Sequence, residues 1–321
     1  MKLRELGKTG RKVSELGFGC WAIGGNSYGP TEDKNSLDAL AFAYDHGINF
    51  YDTADIYGNG HSEELIGQTF SQSSKRLKVF IATKVGWDFY HGGTKKCYER
   101  DYIRFACGES LKRLKTDHID LYQFHNPTPD LIEDGKIYTY LDELKKEGKI
   151  LHYGTSIHTK KDGEAVVKNG KSEAIQVIFN LIDQRPVIDL FPKTDELGIG
   201  IIAREPLACG MLTGKYNQET KFHKMDHRNR WNREKFGKDL DKVKRISDAF
   251  NSARTPLKQA AIEYVLSFKS ISTVIPGMKT VAHVEDHLKA AESPRLLQQE
   301  ISDIREIYKN EKLFQDDFYR N

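Results

Sequence analysis

Eight short runs rich in isoleucine, valine, phenylalanine and tyrosine alternate with eight helix-patterned segments, and nothing else in this chain constrains its fold as tightly. The runs are ELGFG (15–19), INFYDT (48–53), KVFIATK (78–84), IDLYQFH (119–125), ILHYGTS (150–156), AIQVIFN (174–180), GIGIIAR (198–204) and STVIPG (272–277). Runs of this length and composition form strands. Segments 33–47, 61–70 (with Ser62 as its N-cap), 100–115, 129–149, 159–170, 184–198, 255–268 and 281–291 lie between and after them, with apolar residues at helical spacing. Strict alternation implies parallel strands joined by crossover helices. Eight such units without a break in composition predict an α/β fold, a closed (β/α)8 TIM barrel, as one domain over 1–321. The opening KLRELGKTGRKVSELG reads as a β-hairpin turning at Thr9-Gly10, and the tail beyond Ser293 as a C-terminal helical extension. Segment 217–240 is too long for an ordinary connection and is expected to be an irregular lid or flexible loop.

Bulk properties exclude several function classes. The 49 Lys and Arg nearly cancel the 46 Asp and Glu, which argues against a nucleic-acid binder. No run approaches ~18 apolar residues, so no membrane span is expected. The four cysteines, at 20, 97, 107 and 209, form no CxxC, so neither a metal framework nor a redox pair is expected. The N-terminal segment is charged and lacks an apolar signal core. These features describe a cytoplasmic globular protein, monomeric by default.

In a barrel of this kind the chemistry sits at the C-terminal strand ends. There the sequence places Asp52 with Tyr57 just beyond it, Lys84, His125 followed by Asn126, Ser156, Gln176 and Asn180, and Arg204. Each alone has a bland explanation as a cap, a rim aromatic or a solvated strand end. Several ionisable groups on one rim are harder to explain by packing. The combination suits carbonyl reduction. A phenol ionises near 10, and a neighbouring cation such as Lys84, held by Asp52, favours phenolate. A phenol and an imidazole aimed at one oxygen stabilise an alkoxide and protonate it.

These residues fall in motifs that resemble the aldo-keto reductases, NAD(P)H-dependent oxidoreductases built on a (β/α)8 barrel. The likeness runs from LGKTGRKVSELGFGCWAIGG through NFYDTADIYGNGHSEELIG, ATKVG, DLYQFHNP, GTS and REPLACGMLTGKY to VIPGMKTVAHVEDHLKA. The resemblance implies a catalytic tetrad of Asp52, Tyr57, Lys84 and His125, with Tyr57 as general acid. It implies that Ser156 and Gln176 bind the nicotinamide carboxamide, that Arg204 stacks on the ring, and that Pro206 and Leu207 join the cofactor contacts. Gly277 and Lys279, with Thr280, would meet the adenosine phosphate. His283 stands where some members carry arginine, His287 where asparagine meets the adenine, with Asp286 beside it. Lys279 favours NADPH over NADH. Ile157 replaces the asparagine that usually follows Ser156. Trp21, Tyr28, Trp87, Phe89 and Asn126 flank the strand ends and are expected to line the pocket for a small-molecule carbonyl substrate.

Competing motifs carry less. GFGCWA (17–22) matches G-x-G-x-x-A, but no helix opens after it. HVEDH (283–287) lacks the glutamate that follows the first histidine in zinc proteases. HKMDHRNRWNR (223–233) is basic and aromatic, yet the chain as a whole is near neutral. Two rival functions remain: a nucleotide-sensing regulatory subunit, and a Schiff-base aldolase using Lys84. The second needs a depressed lysine, which Asp52 opposes.

Overall fold

Inward and outward side chains alternate along the strands of a computed structural model, which describes residues 1–25, 27–249 and 255–314. Eight parallel strands pair in chain order: β1 (Phe18–Gly19), β2 (Phe50–Asp52), β3 (Phe80–Val85), β4 (Ile119–His125), β5 (Ile150–Ser156), β6 (Ala174–Ile178), β7 (Gly200–Arg204) and β8 (Ile271–Ile275). Parallel bridges Leu16↔Val274 and Gly19↔Gly277 join the first strand to the last and close the barrel. Phe50, Phe80, Ala82, Leu121, Ala174, Ile202 and Ile275 form one apolar cluster inside it. Their strand neighbours Tyr51, Ile81, Tyr122, Ile175, Ile201 and Val274 belong to the larger layer beneath the helices. This is the period of two that a pleated strand imposes.

The N-terminal hairpin, Leu3–Glu5 paired with Lys12–Ser14, closes the bottom. Its Leu6 and Val13 join the inner cluster as a plug. Gly7 makes this possible: it has φ +48°, and a Cβ there would lie 2.1 Å from Gly200 N.

The helices depart from the sequence expectation in four places. Segment 129–149 is two helices, Pro129–Asp134 and Lys136–Lys146, broken at Gly135 with φ +72°. Segment 184–198 is two short helices, Pro186–Asp189 and Phe191–Glu196. The helix His61–Phe70 is capped by Gly60 rather than Ser62. Ser62 instead accepts from Thr53 Oγ1 at 2.8 Å and donates to Cys20 O at 3.0 Å. The stretch 217–240 is not irregular throughout: it contains a turn, His227–Arg230, and the start of a helix, Arg233–Ala249. That helix buries Phe236, Val243 and Ile246, so most of its apolar face lies beyond residue 240, and the shorter window hid its period. The tail is helical over Gln298–Asn310, as expected. No helix among the described residues is long and apolar enough to cross a membrane.

Candidate active site

Above the inner apolar cluster the same alternation turns polar. Asp52 follows Phe50, Lys84 follows Ala82, Gln123 and His125 follow Leu121, and Gln176 follows Ala174, each two residues on. This period brings Asp52, Lys84, Gln123 and Gln176 into hydrogen-bonding contact from four different strands.

Lys84 is fully buried and Asp52 is 2 % exposed, so each must satisfy the other. Lys84 Nζ donates to Asp52 Oδ1 at 2.6 Å, to Thr53 O at 2.7 Å and to Tyr57 Oη at 3.4 Å. The Tyr57 and His125 rings meet edge to face with centroids 6.0 Å apart. Tyr98 Oη donates to His125 O at 2.7 Å and fixes the strand end there. Burial works against the Lys84 ammonium, but Asp52 and Tyr57 outweigh it, so its pKa is raised. A lysine held in this way is a poor imine former. Burial also pushes the Tyr57 phenol upward; Lys84 pulls it down without prevailing. Desolvation thus outweighs the cation that the sequence places beside the phenol. Burial, then the charges of Lys84 and Arg204, drives the His125 imidazole well below its ordinary value. It is neutral near pH 7, and its buried Nδ1 has no hydrogen-bond partner.

Gln176 is engaged within the site. Its Nε2 donates to Asp52 Oδ2 at 2.6 Å, and Gln123 Nε2 reaches the same oxygen at 3.2 Å. Gln123 was missed in the sequence, although its period-two position between Leu121 and His125 marks it as inward-facing. Asp55 is fully buried, and neither of its carboxylate oxygens has a side-chain hydrogen-bond partner. The glycines of YGNGH serve packing of the protein on itself. Gly58 has φ +63°, and a Cβ there would come within 2.2 Å of Gly24 O.

Most of the residues that the resemblance assigns to the cofactor lie at the end of β7 and in the loop after β8. Arg204 pairs with Glu205 and donates to Ile157 O at 3.2 Å, with His158 Nδ1 at 3.1 Å, while its buried Nε has no partner. Pro206 and Leu207 lie in a turn where Glu205, Ala208 and Cys209 all have positive φ without being glycine. Asn180 Nδ2 steadies that turn, donating to Glu205 O at 3.0 Å. Such strain collects at functional sites. Beyond β8, Gly277 has nothing within 4 Å of where a Cβ would lie. Lys279 Nζ donates to Tyr28 O at 3.2 Å. Thr280 caps the helix Val281–Glu292, and its Oγ1 lies 3.1 Å from His283 Nδ1. A capped helix N-terminus beside a lysine suits a phosphate. His287 is buried, bonds the Gly277 backbone and leaves Nδ1 without a partner. Asp286 is engaged elsewhere, in an ion pair with Lys258. The orphaned nitrogens of Arg204 and His287, the Lys279 ammonium and the open face at Gly277 fit the cofactor class that the resemblance implies.

Of the expected pocket walls, Trp21 stacks on Tyr57 at 6.0 Å and meets Tyr28 edge-on at 5.1 Å. His227, from the 217–240 segment, packs on Trp21 and Tyr28 at 4.8 and 4.7 Å. That contact places the segment over the mouth. Ser156 is buried at the end of β5, paired opposite His125. Phe89 stacks on Tyr90 at 4.0 Å.

The profile of the Aldo/keto reductase family matches residues 15–309. An oxidoreductase of Bacillus subtilis, YqkF, is 31% identical over 317 residues, covering 96% of this chain and 99% of its own. A probable voltage-gated potassium channel subunit beta of Arabidopsis thaliana is 30% identical, covering 92% of this chain and 93% of its own. The holo structure of an aldo-keto reductase from Bacillus halodurans superposes with TM-score 0.81 at 30% identity, covering 96% of both chains. The chain belongs to the aldo/keto reductase family. It is an NAD(P)H-dependent oxidoreductase of that family, acting on small-molecule carbonyl compounds.

Proposed function

We propose that this protein reduces an aldehyde or ketone to an alcohol with NADPH, and that Tyr57 delivers the proton. The observation that carries the reading is the buried Asp52–Lys84 pair, with Lys84 Nζ 3.4 Å from Tyr57 Oη. NADPH supplies the hydride when bound. Tyr57 hydrogen-bonds the substrate oxygen and gives up its proton as alkoxide develops, while the Lys84 ammonium stabilises the phenolate left behind. Asp52 keeps Lys84 charged. Neutral His125 donates to the same oxygen and orients it. Ser156 and the remaining acceptor of Gln176 hold the carboxamide, and Arg204 covers the ring. Lys279 and His283 favour the extra phosphate of NADPH. The 1–321 chain works as a single domain and a monomer.

The test is NADPH consumption with a panel of activated aldehydes and diketones, for wild type and Tyr57→Phe. A loss of about 10²–10⁴ in turnover with NADPH binding retained supports the reading. Equal turnover in both proteins overturns Tyr57 as the acid. Tight NADPH binding with no turnover on any carbonyl would favour a regulatory role, as the name of the Arabidopsis relative suggests for that protein.

A further inference from the structure

The hairpin that rises from the top of β3 carries a cation that the reduction chemistry leaves unused. Trp87–Asp88 pairs antiparallel with Lys95–Lys96, and Trp87 lies opposite Lys96. The hairpin begins three residues beyond Lys84, so it stands beside the mouth of the barrel. It is fixed at its base: Tyr102 Oη donates to Trp87 O at 2.8 Å, and Cys97 N to Gly86 O at 3.0 Å. Lys96 Nζ donates to Asn126 O at 2.8 Å and sits 5.5 Å from the Trp87 ring centroid. Asn126 directly follows His125, so the ammonium is held where two proposed pocket walls meet.

Lys96 is exposed, and it pairs with no carboxylate among the described residues. The hairpin's own carboxylate, Asp88, is buried and turned inward. Its Oδ1 accepts from the backbone N–H of Tyr90 at 3.0 Å and of His91 at 3.3 Å, and the His91 ring lies 3.1 Å from both oxygens. Lys84, Arg204 and Lys96 all bear on the His125 imidazole. The first two are matched, by Asp52 and Glu205. Lys96 alone is not.

An ammonium has three donors. One is spent on Asn126 O, which leaves two for a ligand. A carboxylate arriving there would gain a charge-assisted hydrogen bond, and the Trp87 face would support an apolar or planar body beneath it. A lysine that only solvates a strand end would need neither the carbonyl anchor nor the ring.

We propose that Lys96 is a specificity-determining residue that reads a carboxylate on the substrate, so that this reductase prefers oxo acids to neutral aldehydes and ketones. The inference rests on the reductase reading above. It is tested with 4-formylbenzoate and its methyl ester, which share a carbonyl and differ in charge. Wild type is expected to favour the acid. Lys96→Met is expected to lower kcat/KM for the acid about five- to tenfold more than for the ester, mainly through KM. Lys96→Glu inverts the preference, and the wild-type preference shrinks as salt rises. An equal loss on both substrates, or a wild type that favours the ester, overturns the proposal. Terephthalate binding to the NADP⁺-loaded protein, by calorimetry, separates the two readings. If neither these aldehydes nor the carbonyl panel above turn over but terephthalate binds about fivefold more weakly to Lys96→Met, the reductase reading falls and the carboxylate site stands. Turnover without charge preference does the reverse. If terephthalate binds both proteins equally, or neither, the site is wrong.

Discussion

Gln176 Nε2 and Lys84 Nζ hold the two oxygens of Asp52 from opposite sides, each at 2.6 Å. A buried carboxylate so bracketed cannot rotate without breaking a short hydrogen bond. Gln123, at 3.2 Å, is the weaker support on the Gln176 side. Replacing Gln176 with leucine leaves Oδ2 with that bond alone. The expected cost is about 1–3 kcal/mol of folding stability, read from urea unfolding. A cost below about 0.5 kcal/mol would mean that Lys84 and Gln123 suffice to hold Asp52.

The proposed acid and its partner titrate far from neutrality, in opposite directions. Burial lifts the Tyr57 phenol above its ordinary value of 10.0, and burial drives His125 well below 6.5. Neither group changes charge between about pH 6.5 and 9. The expected profile of kcat/KM is therefore flat across that range and falls only above about pH 10, as Tyr57 loses the proton it must donate. A rate that falls on acidification with a midpoint near 6.5 would show that His125 is solvated and protonates in the site.

His287 makes the fold acid-sensitive. Burial, with the neighbouring charges of His283 and Lys258, lowers its imidazole from 6.5 to about 4. Its folded pKa lies below its unfolded one. The unfolded chain therefore takes up a proton that the folded chain refuses, and stability is lost as pH falls from about 6.5 toward 4. At pH 5 this amounts to about 2 kcal/mol from this residue. His287→Asn should lose about that much less than wild type between pH 7.5 and 5.0 in urea titrations. Equal losses would mean that His287 is already charged in the fold.

The barrel was legible because its signal repeats. Every strand announces itself with branched and aromatic residues, and Asp52, Lys84, His125, Ser156 and Arg204 close their runs at the rim. What sequence could not show depends on distance across strands. Gln123 sits mid-run in IDLYQFH and reads as strand polarity until it is found 3.2 Å from Asp52. Lys96, in GGTKKCYER, looks like a solvated turn; only the register of Trp87 against Lys96 brings it beside the indole ring. The direction of the Tyr57 shift depends on burial, which no spacing reports. The start of helix Arg233–Ala249 is not legible in 217–240 because two of its core residues, Val243 and Ile246, lie beyond that segment.

Asp55 gives the last prediction. Its backbone N–H bonds Lys84 O at 3.3 Å, which ties its loop to β3, but its carboxyl is fully buried with no side-chain hydrogen-bond partner. Burial first, and then the nearby Glu63 carboxylate, raises its pKa well above 3.8; Arg113 opposes them without prevailing. Here the folded state keeps a proton that the unfolded chain gives up near 3.9. Stability therefore falls as pH rises, by about 1.4 kcal/mol for each unit between the two values. Asp55→Asn keeps the shape and removes the ionisation. It should be no more stable than wild type near pH 4 and increasingly more stable toward pH 8, read as the difference between their urea midpoints. A difference that stays constant with pH would mean that the Asp55 carboxylate is ionised in the fold, with Arg113 compensating its charge.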